Sequence, residues 1–109
     1  MDLINISFFA SPGDADIPAL LTGFVGKTLA PILRETLGAE EIVLSHMANT
    51  AEDPEVAECY PLQFRVNGPG AIQRWNLEVL PRIAAMTAER FGQMRVQIFP
   101  TTFKVLRTF

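Results

Sequence analysis

Residues 3–9 (LINISFF) alternate, with Ile4, Ile6 and Phe8 on one side and Leu3, Asn5, Ser7 and Phe9 on the other, which predicts a strand. The stretch 59–66 (CYPLQFRV) repeats that period: Tyr60, Leu62, Phe64 and Val66 face one way, Cys59, Pro61, Gln63 and Arg65 the other. Residues 40–47 (EEIVLSHM) predict the second strand, and 94–107 (MRVQIFPTTFKVLR) a last one, bent or bulged near Pro100.

Between these strands the period changes. A first helix is predicted from Ile17 to Leu37, opened by Asp16 as a cap with Pro18 in its first turn, and stopped by Gly38. From Ile17 to Leu33 its only charge is Lys27, so burial on more than one side is expected, and Gly23 and Gly26 suggest close packing. Pro31 should kink or split it. After the turn signal Asn67-Gly68-Pro69-Gly70, a second helix is predicted over 70–91, with Pro81 as a kink and Gly92 as its stop. Arg74, Glu78 and Arg82 form its outward charge ladder; Ile72, Val79, Leu80, Ile83, Thr87 and Phe91 lie opposite, with Trp75 and Met86 on a flank.

The order βαββαβ implies an α+β, ferredoxin-like fold: a four-stranded antiparallel sheet with two helices on one face. Right-handed crossovers are expected to set the first and third strands, as a parallel pair, at its centre. A length of 109 residues accommodates one domain, 1–109.

Charged residues make up 19% of the chain, below the roughly 25% usual for soluble domains, so part of the surface is expected to meet a second copy in a homodimer. The net charge of −3 and the scattered basic residues argue against nucleic acid. No apolar run approaches the roughly 20 residues of a membrane span, and Asp2 with the polar Asn5 and Ser7 does not suit a signal peptide. The single Cys59 excludes an internal disulfide framework, and a cytoplasmic setting is expected.

No motif for chemistry survives. Gly26-Lys27-Thr28 ends like a phosphate-binding loop, but the required earlier glycine is Leu21 and the segment lies inside a helix. Cys59 sits beside Glu58, which disfavours the thiolate. His46 has no partners at ligand spacing, Asp14 and Asp16 read better as loop and cap, and Glu40-Glu41 with the acidic stretch Glu52, Asp53, Glu55 and Glu58 read as solvated charge. No metal and no cofactor is expected.

One constellation remains. If the apolar sides of the first and third strands meet the helices, the open face carries Asn5, Ser7, Gln63 and Arg65. Ser45 or His46, and Arg95 or Gln97, could join according to register. Arg65 among amides and hydroxyls would suit a small polar or acidic ligand.

Tyr60-Pro61-Leu62-Gln63-Phe64, a helix with Pro81, the Arg90-Phe91-Gly92 close, Phe103-Lys104-Val105-Leu106 and the opening Ile4-Asn5-Ile6-Ser7 resemble a family of short bacterial proteins, domain of unknown function 4286. Leu29-Ala30-Pro31 keeps that family's proline but lacks its histidine, and one extra residue after Gly92 leaves Arg95 and Gln97 unmatched. The resemblance implies a ferredoxin-like fold of the dimeric α/β-barrel type, with two sheets face to face, and no established activity. A cofactor-free oxygenase or isomerase, with His46 as its base, and a structural interaction module stand as alternatives.

Overall fold

The computed structural model describes residues 1–10, 15–47, 58–92 and 95–109. Its strands are β1 (Asp2–Ala10), β2 (Glu40–Leu44), β3 (Glu58–Val66) and β4 (Val96–Lys104), in the spatial order β2-β3-β1-β4. Both helices cover one face. The expected parallel central pair is corrected: β1 and β3 run antiparallel, Ile4 opposite Phe64 and Ile6 opposite Leu62. The crossover through the first helix makes β2 parallel to β1, so the returning β3 opposes both.

Each helix is continuous through its proline. The first runs through Ile17–Phe24, a wide turn at Val25–Leu29, and Ala30–Leu37. The second runs through Ala71–Arg74, a wide turn at Trp75–Val79, and Leu80–Phe91. Each wide turn ends two residues before a proline, and in each the N–H ahead of the proline reaches back five residues, Ala30 to Val25 and Leu80 to Trp75. Proline lacks an N–H and its ring crowds the carbonyl four residues back. A local i→i−5 turn relieves that crowding without breaking the helix.

Gly38 ends the first helix in the left-handed region (φ 61°), while the Ala39 N–H reaches the Leu33 carbonyl at 3.2 Å. Asp16 occupies the N-cap position, but its side chain makes no cap bond. Asp14 and the acidic residues Glu52, Asp53 and Glu55 lie outside the described residues. Arg74 donates to the Thr36 carbonyl at 3.0 Å and so ties the second helix to the end of the first.

The core lies between helices and sheet. Ile4, Ile6, Phe8, Leu62, Phe64 and Val66 from the sheet meet Leu21, Leu29, Leu33, Trp75 and Ile83, all fully buried. Trp75, read from the sequence as a flank residue, is central and packs edge-on to Phe64 at 5.5 Å between ring centroids. Burying such side chains contributes roughly 1.5–3 kcal/mol each.

The outer side of the first helix differs from expectation. A Cβ placed on Gly23 or Gly26 would meet nothing within 4 Å, so neither glycine marks a close contact. The helix is buried on one side only; Pro18, Ala19, Thr22, Lys27 and Pro31 face outward. The lack of charge on that side reflects small residues rather than a second apolar face, Leu20 being its large exposed side chain. Pro100 causes no bulge, since β4 pairs with β1 in unbroken register from Asp2↔Lys104 to Ala10↔Val96. An edge strand tolerates proline because alternate N–H groups point away from its one neighbour.

Candidate functional site on the open sheet face

The face of the sheet opposite the helices collects what the alternation assigned to it. Asn5 lies between Gln63 on β3 and Thr101 on β4; Ser7 lies between Pro61 and Phe99; Leu3 lies between Arg65 and Phe103. Asn5 Nδ2 donates to Ser7 Oγ at 2.9 Å, which orients both side chains along β1. Four expected residues, Asn5, Ser7, Gln63 and Arg65, therefore share one surface. Ser45 joins them, its N–H bonded to the Pro61 carbonyl at 2.8 Å, and Gln97 lies opposite Phe9. Arg95 precedes β4.

His46 does not join them. It stacks on Tyr60 (4.7 Å between centroids, 15° between planes) and pairs with the Glu58 carboxylate, at the end of the sheet on the helix side. Its neighbours in the chain, Ser45 and Met47, belong to the open face. The side chain offered as a base for an oxygenase or isomerase thus stands across the sheet from the polar strip. Burial, and then the nearby Glu58 charge, raise the Tyr60 phenol above its ordinary value.

Arg65 is already engaged. Between Glu40↔Arg65 and Val43↔Gln63, β2 gains one residue over β3, and Glu41 takes φ 53° in this bulge. As a result both Glu40 and Glu41 reach the guanidinium, Glu41 at 3.3 Å. The hydrogen bond to Glu40 and the charge of Glu41 raise the Arg65 pKa further above its ordinary range. A groove of about 370 Å³ runs beside this cluster, lined by Leu3, Val43, Ser45, Gln63 and Arg65 among others. No group of three or more metal-ligating side chains is found among the described residues.

Sequence reasoning missed the margins of the face. Phe99 and Phe103 on β4 are 68% and 49% exposed, and Val43 and Met47 on the β2 side are 54% and 58% exposed. Thr101 was missed as well. The signal was present in β4 as a period of two (Phe99, Thr101, Phe103), but only pairing with β1 shows which phase faces outward.

No protein-family model and no curated protein matches the chain. Solved structures do. A dimeric ferredoxin-like protein from an uncultured marine organism matches with TM-score 0.65 at 12% identity, over 100% of this chain and 98% of the other. A proposed antibiotic-biosynthesis monooxygenase from Bacillus cereus matches with TM-score 0.62 at 10% identity, over 100% and 95%. The heme-degrader MhuD of Mycobacterium tuberculosis, solved with two hemes in its active site, matches with TM-score 0.58 at 19% identity, over 98% of each chain. At these identities the likeness establishes the fold. The chain has the ferredoxin-like fold of these solved structures. No helix among the described residues is long and apolar enough to cross a membrane.

Proposed function

We propose that this chain is a homodimeric binding protein whose open sheet faces meet and enclose a small polar, uncharged molecule. The observation that carries this reading is the composition of that face: Asn5, Ser7, Gln63 and Thr101 form a polar strip between aromatic and aliphatic margins that no part of the described chain covers. Large apolar side chains exposed together on one face mark an interaction surface. The dimeric ferredoxin-like neighbour supports a second copy as the partner. Arg65 narrows the ligand, because Glu40 and Glu41 balance its charge and disfavour an acid beside it. Membership of domain of unknown function 4286 and a cytoplasmic setting belong to the same reading.

Light scattering coupled to gel filtration tests the assembly: a mass of two chains at micromolar concentration is expected, and a clean monomer would sink the proposal. For the ligand, a thermal-shift panel of neutral polar compounds and carboxylic acids should favour the neutral set. Gln63→Leu should abolish the shift while leaving the dimer intact.

A further inference from the structure

We infer that the open face takes a cyclic ureide, a flat ring that carries N–H and C=O side by side on one edge. This rests on the neutral-ligand reading above and names its chemical class. Asn5 and Gln63 stand directly opposite each other on β1 and β3. Pro61 turns its carbonyl toward β2, where it accepts the Ser45 N–H at 2.8 Å. Alternate residues of a strand point their backbone groups the same way, so Gln63 also turns toward β2 and shares no backbone bond with Asn5. In such a non-hydrogen-bonded pair the opposed side chains stand closest, with roughly 4.5 Å between Cα atoms. Asn5 Nδ2 gives one hydrogen to Ser7 Oγ, which leaves its carbonyl and a second hydrogen for a ligand. Gln63 is exposed, and no hydrogen bond engages its carboxamide among the described residues. Two adjacent carboxamides thus present donors and acceptors together.

A carboxamide finds its full complement in a partner with N–H and C=O on the same edge. A linear secondary amide is trans and points these groups in opposite directions, whereas a small ring holds them cis. The groove beside Gln63 has the matching shape: about 370 Å³, with Leu3, Val43 and Pro61 as apolar walls and Ser45 and Glu41 as polar ends. That volume is small for a ligand site and suits a single ring. Arg65, with Glu41 on its guanidinium, lies two residues along β3 from Gln63, about 7 Å. Glu41 is 67% exposed, and with Glu40 it gives that end one carboxylate more than the guanidinium neutralises. The excess favours a second N–H there over a lone-pair oxygen, which selects a ureide over a simple lactam. A polyol meets the same groups only by freezing several rotors.

Nuclear magnetic resonance of the isotope-labelled protein tests this through the side-chain NH₂ signals of Asn5 and Gln63, assigned by their loss in Asn5→Leu and Gln63→Leu. Uracil should shift both pairs of signals and saturate. Dimethyluracil, the same ring methylated on both nitrogens, should bind about tenfold or more weakly, as should the linear N-methylacetamide. Gln63→Leu should abolish uracil binding while its circular-dichroism melt stays unchanged. Glu41→Gln should weaken uracil by about threefold or more and leave pyrrolidinone, a ring with one N–H, unaffected. Dimethyluracil or glycerol binding as well as uracil would overturn the ureide and spare the neutral-ligand site. If acetate alone shifts these signals, or none of the compounds does, the neutral-ligand reading falls with it.

Discussion

The two faces of the central strands are made from the same residues in alternation, yet they reach opposite ends. On the helix side Ile4, Ile6, Phe8, Leu62 and Phe64 are fully buried by their own chain. On the open side, Phe99, Phe103, Val43 and Met47 remain largely exposed around a polar strip. The first face is complete as folded, so its side chains hold the domain together. The second is left open by its own chain, and on the dimer proposed above its side chains should act on association and hardly at all on folding. A polar strip also belongs on the second face for a physical reason: Asn5, Ser7 and Gln63 would be costly in a sealed core without partners.

The largest effect should come from the buried side. Trp75→Ala should cost about 3–5 kcal/mol of unfolding free energy, read by denaturant titration followed by circular dichroism. Trp75→Phe should cost clearly less, since the Trp75 Nε1 is buried with no hydrogen-bond partner among the described residues. On the open side, Phe99→Ser with Phe103→Ser should weaken the dimer by about 2 kcal/mol or more. The unfolding of the resulting monomer should stay cooperative; a loss of folding like that of Trp75→Ala would erase the contrast between the faces.

A smaller effect separates the sheet from the first helix as the contact surface. Because a Cβ at Gly23 or Gly26 would meet nothing, Gly23→Ala and Gly26→Ala should each stabilise by roughly 0.5–1 kcal/mol and leave the dimer unchanged. Weakened association in either variant would move the interface to the helix. The smallest effect is a pH dependence. Tyr60 has its phenol raised above the ordinary value of 10.0, so the fold favours the neutral form. That contribution is fully present below pH 10.0 and is lost as pH rises through the higher native value. Alkaline melting curves of Tyr60→Phe should fall less steeply above that point than those of wild type.

Much of this was legible in the chain. Alternation assigned residues 3–9 of β1 and 59–66 of β3 to their correct faces, and Gly38 and Gly92 marked the helix ends. The prolines marked the disturbed turns, although the sequence did not show that a wide turn, rather than a break, would absorb them. Less legible was anything that depends on how one strand meets the next. Asn5 and Gln63 were placed together because both central strands are regular, whereas His46 and Arg65 depended on β2.

By itself, then, the sequence determined the elements, their order and the two-sidedness of the central strands, because periodicity and chain breakers act between near neighbours. Only the tertiary structure decided the character of the open face. One extra residue in β2, with Glu41 at φ 53°, brought two carboxylates onto Arg65. Ser45 and Met47 lie on the open face, while His46 lies on the other side of the sheet. Unbroken pairing of β4 with β1 brought Thr101 and two phenylalanines to the same surface. Register and bulges are relations between distant segments, so no local pattern specifies them.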